Sequence, residues 1–199
     1  MSRPTVDLRE LDLRTLDRRS LAAVDRAVSA VRPEHLDLPT PCSGWRLRDL
    51  LWHLVSENRG FAANSVGLPV DRSVWQRAEL GPDPCQAYRD SAALVTAAFS
   101  AADLYDRQVE VGQYGTFSGR VAISLHVVDY LVHAWDVARA VGIDPELDED
   151  LCDTALRIAH RWPYQRPDAA FDVLVEVPEA APAADRLMGY LGRSPAWPS

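Results

Sequence analysis

The chain has 199 residues, 47% of them hydrophobic and 25% charged, with a formal net charge of -8. These proportions are ordinary for a soluble globular protein, and the length suffices for a substantial core, so we expect one domain over residues 1–199. The acidic excess and the lack of a basic patch argue against a nucleic-acid partner. No apolar run reaches the length of about 18 residues that a membrane span needs, and the charged N-terminus lacks the apolar core of a signal peptide. We therefore expect a cytoplasmic protein with no membrane partner.

Three cysteines, Cys42, Cys85 and Cys152, are scattered along the chain. Their odd number, without a CxxC pair, fits neither a disulfide framework nor a cysteine metal motif. We expect small core residues or free thiols. No histidine stands at a spacing that predicts a catalytic cysteine–histidine pair.

The first half of the chain carries three helical patterns. Apolar residues at helical spacing predict a first helix over roughly residues 10–32, which Pro33 ends. After a loop with two prolines and a glycine, a second helix is predicted over about 46–66. Residues 68–82 are predicted as a loop, and a third helix follows over about 84–102.

The most apolar segment is a predicted fourth helix in the second half of the chain. Before it, residues 107–117 alternate in polarity, which predicts a short extended hairpin or crossover. Ser118 is a suitable N-cap for the helix, which is expected to run to Val141 and to stop at Gly142.

Shorter elements are predicted after this helix. A fifth helix is expected over about 149–162, a brief strand over 171–177 and a short last helix over 181–192. Four long amphipathic helices with only short extended pieces predict an all-α protein, a four-helix bundle with short extra helices and a minor extended segment.

A group of potential metal ligands lies in the predicted fourth helix, within the segment LHVVDYLVHAWD. His126, Asp129 and His133 stand at i, i+3 and i+7, so they share one face of the helix. The residues between them are apolar, which predicts burial, and buried imidazoles and carboxylates need partners. A metal ion is one such partner, with His53 of the second helix as the best additional ligand. The alternative is a core in which the three residues form a hydrogen-bond network without metal.

Further charged residues flank these candidates. Asp136, one turn beyond His133, either orients that imidazole or is a solvated charge on the helix surface. Asp49 and Glu57 stand four residues before and after His53, where they either fix its tautomer or are exposed. Four arginines are open candidates for binding an anionic substrate: Arg48, Arg59, Arg120 and Arg139.

Three segments of the chain resemble a known family. LPTPCSGWRLRDLLWHL, LHVVDYLVHAWDVARAVG and PEAAPAADRLMGYLGR are similar to segments of actinobacterial metal-binding proteins of the DinB-like superfamily, in particular the N-terminal domain of mycothiol-dependent maleylpyruvate isomerase. The resemblance implies a DinB-like four-helix bundle with a divalent metal in its core. The family's ligand pattern falls on His53, Asp129 and His133, with Asp in place of the family's Glu, and gives His126 no ligand role. The isomerase has a further C-terminal domain that helps bind substrate, and too few residues for it follow the fifth predicted helix here.

Two histidines and one carboxylate leave coordination positions open, as in catalytic zinc sites. Zinc is the first expectation, and nickel and ferrous iron are compatible with the same ligands. The resemblance implies a metal-dependent transferase or isomerase that uses mycothiol or another small thiol on a small electrophilic substrate. The alternatives are a non-catalytic metal-binding or stress-response module and a cofactor-free core. A monomer or a homodimer is expected.

Overall fold

A computed structural model of the protein describes residues 6–67, 72–76, 78–162 and 171–198. These residues form six α-helices: α1 (Leu13–Val28), α2 (Leu47–Ser65), α3 (Pro84–Phe99), α4 (Gly119–Val141), α5 (Glu149–Ala159) and α6 (Ala183–Tyr190). Two strands, β1 (Gln108–Val111) and β2 (Gly115–Ser118), form an antiparallel hairpin in which Gln108 pairs with Ser118. Single 3-10 turns lie at Leu8–Glu10, Pro33–His35, Arg72–Gln76 and Leu104–Asp106. The predicted all-α bundle and the predicted hairpin are confirmed.

Side-chain and glycine caps explain where the helices begin and end. Asp12 and Asp83 accept hydrogen bonds from backbone N–H groups in the first turns of α1 and α3. Ser118 caps α4 in the same way, and Gly142 ends it in the left-handed conformation at φ 76°. These are the preferred residues at the two ends of a helix. The predicted start and end of the fourth helix are confirmed.

Helix α4 lies at the centre of the bundle. It packs against α1, α2 and α5, and α2 also packs against α3. By length and apolar composition α4 could cross a membrane, but 83% of its most apolar window is buried inside the protein, as in a core helix. The core therefore surrounds the helix that carries most of the candidate site residues.

The structure differs from the predicted elements at several helix ends and in one extended segment. The first helix is shorter than predicted, and α5 ends at Ala159 rather than at residue 162. The predicted strand over 171–177 is wrong, because this segment pairs with no strand in the described part of the chain. It runs against α6 instead, where the Val175 N–H donates to the Gly189 carbonyl at 2.9 Å. Of the predicted loop over 68–82, residues 68–71 and 77 lie outside the described residues.

Candidate metal centre

The packing of α2 against α4 brings three of the predicted site residues together. The Nε2 atom of His53 lies 3.5 Å from Asp129 Oδ2, and Nε2 of His133 lies 3.4 Å from Asp129 Oδ1. Three ligand atoms, one from each residue, lie within 4.8 Å of one another. The His53 and His133 rings meet edge to face at 4.9 Å.

Among the described residues, two of these atoms have no hydrogen-bond partner of the kind that a buried polar atom needs. Within the described part of the chain, His53 Nε2 and Asp129 Oδ2 are buried and have no hydrogen-bond partner. Such atoms are costly and uncommon in native proteins unless a water or an ion satisfies them. Ligands about 2.0–2.1 Å from a tetrahedral zinc ion are about 3.4 Å apart, which matches the separations at Asp129. The donor set and its spacing fit a divalent metal.

The electrostatics of the three residues are closely linked. Burial lowers the pKa of His53 from its ordinary value. Burial also opposes the charged form of His133, but the carboxylates of Asp129 and Asp136 raise the pKa of His133 well above its usual range. Against its own burial, Asp129 is held well below its ordinary pKa by His133 and then by His53. The site therefore holds one carboxylate anion between two imidazoles.

Each imidazole also has a carboxylate near its other nitrogen. His133 Nδ1 lies 2.9 Å from Asp136 Oδ2, and Asp136 is fully buried. Of the two alternatives for Asp136, the structure supports the one in which it orients the His133 ring, because a fully buried carboxylate is not a solvated surface charge. Glu57 Oε1 lies 4.0 Å from His53 Nδ1. Burial, then Asp129, raises the pKa of Glu57 to about 8.

Two residues that the sequence did not single out for this site, Cys42 and Arg193, complete its surroundings. The Cys42 thiol lies 3.1 Å from Asp136 Oδ2 and 3.9 Å from His133 Nδ1. Arg193, after α6, forms an ion pair with Asp136 at 3.0 Å. No sequence spacing predicted the approach of Cys42 to His133, because a loop and a helix distant in sequence meet there. The presence of Cys42 and Arg193 in the segments that resemble the family was the one available signal.

An exposed tryptophan stands over the two histidines. Trp45 is 37% exposed and packs edge-on against His53 at a centroid distance of 5.0 Å. It also stacks on His133 at 6.4 Å. The side chains of His53 and Asp129 are 22% and 21% exposed. The group is therefore partly exposed to solvent beside the Trp45 ring.

His126 belongs to a separate cluster. Its Nδ1 lies 2.6 Å from Asp17 Oδ1 and its Nε2 lies 3.2 Å from Asn58 Oδ1, all fully buried. Tyr130 stacks on the ring at 3.8 Å. The alternative of one network joining His126 to Asp129 and His133 is wrong, because α1 and α2 supply His126 with its own partners.

Other predicted charges have structural partners. Asp49 accepts a hydrogen bond from the Arg46 N–H at the start of α2. Arg48 pairs with Asp37 at the surface, and Arg120 donates to the Leu8 carbonyl. Arg139 donates to the carbonyls of the C-terminal segment at Pro195 and Trp197.

Comparisons with known proteins agree with the fold described above and with the family resemblance of the sequence. The family model described as "Mycothiol maleylpyruvate isomerase N-terminal domain" matches residues 18–138. Two uncharacterized proteins of Mycobacterium tuberculosis, Rv0738 and MT0763 from two strains, are each 31% identical over 182 residues, which is 88% of this chain and 94% of theirs.

Crystal structures of mycothiol-dependent maleylpyruvate isomerase and of a mutant of it share the fold, with TM-scores of 0.60 and 0.61. The sequence identity is 16%, and the match covers 75% of this chain and 70% of that one. The chain belongs to the family of the mycothiol maleylpyruvate isomerase N-terminal domain.

Proposed function

We propose that the protein binds one divalent metal ion through His53, Asp129 and His133, with zinc first and nickel or ferrous iron as alternatives. The observation that carries this proposal is that His53 Nε2 and Asp129 Oδ2 are buried and face each other at 3.5 Å, and that neither makes a well-formed hydrogen bond to any of the described residues. A hydrogen-bonded core would leave neither atom unsatisfied.

The same geometry supports a catalytic rather than a closed structural site. Three protein ligands leave a coordination position open for a small molecule. A zinc ion held there would lower the pKa of a thiol or water that it binds. Asp136 keeps the His133 ring oriented, and Trp45 offers an apolar wall beside the two histidines.

The function that this site supports best is that of a metal-dependent thiol transferase or thiol-dependent isomerase in the cytoplasm. The name of the structurally similar isomerase suggests mycothiol as the thiol. In a transferase reaction, the thiol sulfur forms a bond to the electrophilic carbon while either the bond from that carbon to its leaving group or a π bond at that carbon breaks. The thiol proton passes to the leaving group in the first case and to the addition product in the second. In an isomerase reaction, the thiol adds to a conjugated double bond, the resulting single bond rotates, and elimination restores thiol and alkene. Both reactions need a small electrophilic substrate.

The test combines metal analysis with a thiol assay. Zinc-loaded wild-type protein is incubated with mycothiol and a panel of electrophiles that includes conjugated cis alkenes. Conjugation or isomerisation should require both zinc and thiol and should fall at least about a hundredfold in Asp129→Ala. His35→Ala, outside the site, is the matched control and should keep full activity. Full activity of a metal-free Asp129→Ala protein would refute the proposal, whereas stoichiometric zinc without turnover would identify a metal-binding module.

A further inference from the structure

A buried ion pair connects the C-terminal segment to the candidate metal centre. Arg193 Nη2 donates to Asp136 Oδ2 at 3.0 Å, and Arg193 Nε donates to Asp136 Oδ1 at 3.4 Å. Arg193 is 4% exposed and Asp136 is fully buried. Arg193 lies beyond residues 18–138, which the family model matches. The match therefore does not cover this contact.

The chain places Arg193 through a tight turn after α6. Gly192 has a φ of +81°, and a Cβ there would lie 2.7 Å from the Asp172 backbone, so only glycine fits without strain. The Arg193 N–H donates to the Met188 carbonyl at 2.9 Å. The Phe171 ring lies 5.6 Å from the guanidinium carbon. The guanidinium is thus held rigidly, with its Nη1 donating to the Leu191 carbonyl.

Asp136 contacts both Arg193 and His133, so the position of Arg193 affects the His133 ring through this carboxylate. An ionised carboxylate only accepts hydrogen bonds, so His133 Nδ1 must carry the proton that points at Asp136. In the neutral ring, Nε2 then has the free lone pair, and this atom lies 3.4 Å from Asp129 Oδ1. Without a cation, Asp136 would be a buried unpaired charge, which is strongly destabilising. Arg193 removes this penalty and fixes the carboxylate by a two-pronged contact.

The positive charge also excludes a second metal position. Cys42, His133 and Asp136 have ligand atoms within 4.8 Å of one another, which is the spacing of a metal site. Arg193 Nη2 lies 3.0 Å from both Cys42 Sγ and Asp136 Oδ2. The guanidinium therefore already supplies the cation for this group, and a metal is directed to the other side of His133.

We propose that Arg193 is a positioning residue of the metal centre, which acts through Asp136 to hold His133 with Nε2 turned towards Asp129 and His53. This inference rests on the proposed metal site. It makes the segment after α6 a part of that site, although the ligands come from α2 and α4.

The test measures zinc affinity by competition with a chromophoric chelator, using full-length protein and zinc alone. Arg193→Met removes the charge at similar volume, and Arg193→Lys keeps the charge without the planar fork. We expect zinc affinity to fall about 10- to 100-fold in Arg193→Met, and less in Arg193→Lys. Arg186→Met is the matched control, because Arg186 of α6 has its recorded partners, Asp153 and the Ala181 carbonyl, outside the site. It should bind zinc like the wild type.

A double-mutant cycle separates positioning from general destabilisation. If Arg193 acts through Asp136, Arg193→Met should weaken zinc binding little further in an Asp136→Asn background. Additive losses, or wild-type affinity in a folded Arg193→Met protein, would overturn the inference. If Arg193→Met does not fold, the cycle is run with Arg193→Lys.

Nitrogen NMR of the His133 ring provides a readout that does not depend on metal. It is recorded on metal-free protein at a pH above the titration of the ring. The wild type should show the tautomer with the proton on Nδ1, and Arg193→Met should show a mixture. An unchanged tautomer in Arg193→Met would contradict the inference whether or not the protein binds zinc. Failure of the wild type to bind zinc would refute the proposed function, and it is a separate result.

Discussion

His126 and His133 share one face of α4, but their neighbours give them different roles. His126 has both ring nitrogens against oxygen atoms of Asp17 and Asn58 in the core. His133 has one nitrogen against Asp136 and the other towards Asp129 and His53. Helical spacing alone places both rings on one stripe. The elements packed against each ring decide which one is available to an ion.

Replacing His126 should therefore lower the free energy of unfolding without changing the amount of zinc that the protein binds. His126→Ala leaves the buried Asp17 side chain without its hydrogen-bond partner, and an unsatisfied buried polar group costs about 1–3 kcal/mol. Denaturant unfolding should show this loss, while zinc stoichiometry stays at that of the wild type. His35→Ala, in which the replaced ring is not buried, is the control. A loss of zinc in a folded His126→Ala protein would make His126 a ligand.

The three thiols should react in an order set by burial and charge. Cys152 is fully buried, and burial, followed by the charges of Glu149 and Asp148, raises its pKa to about 12. Burial also raises the pKa of Cys42 and of Cys85, both of which are half-buried. A raised pKa leaves little thiolate near neutral pH, and only the thiolate reacts.

Alkylation of native protein at pH 8, followed by mass spectrometry, should leave Cys152 unmodified until the protein unfolds. Labelling of the other two should increase as the pH rises towards 10. Rapid labelling of native Cys152 at pH 8 would contradict the burial on which this order depends. Unfolded protein, in which all three thiols should react, is the control.

At the scale of the elements, the start of α4 depends on a close backbone approach. A Cβ on Gly119 would lie 2.0 Å from the Leu104 carbonyl oxygen, closer than real atoms come. Gly119→Ala must therefore displace the backbone of the turn at Leu104–Asp106, and overpacking of this kind costs about 1–3 kcal/mol. The check is the free energy of unfolding from denaturant titration. A variant as stable as the wild type would show that the turn and α4 are not in contact in this way.

The helices were predictable because their signals are local. Ser118 and Gly142 mark the ends of α4, and apolar periodicity marks its buried faces. The predicted strand over 171–177 failed because an apolar alternation indicates an extended chain but does not supply a partner strand. In the protein this segment packs on α6, where Gly189 leaves room for Val177.

At the scale of the whole molecule, the candidate site joins segments that are far apart in sequence. The spacing of Asp129 and His133 was visible in the sequence, His53 was the best additional ligand in the second predicted helix, and the resemblance to the family implied the same three residues. Arg193 and Cys42 were not predicted for the site, because a turn after α6 and a loop before α2 determine their positions. Helical periodicity shows which face of α4 carries Asp136, but it does not show which side chain packs against that face. The contact with Arg193 could therefore not be predicted.

Metal binding should couple to the stability of the whole fold. A ligand that binds only the native state at a hundred times its Kd adds about 2.7 kcal/mol. For a chain of this size, each kcal/mol of stability changes the Tm by about 2–4 °C, so metal binding should raise the Tm by several degrees. Chelation should lower the Tm of the wild type accordingly and leave the Tm of His133→Ala unchanged. Identical melting curves of zinc-loaded and verified metal-free wild type would favour a core that needs no ion.

The central claim is that one metal ion binds between α2 and α4, and anomalous diffraction at the zinc edge tests it most directly. Crystals of the zinc-loaded protein should give one strong peak within about 2.0–2.2 Å of His53 Nε2, an Asp129 carboxylate oxygen and His133 Nε2. The element that scatters is identified by the same measurement. No peak at this position in protein that carries one equivalent of zinc, or a peak between Cys42 and Asp136 instead, would contradict the claim.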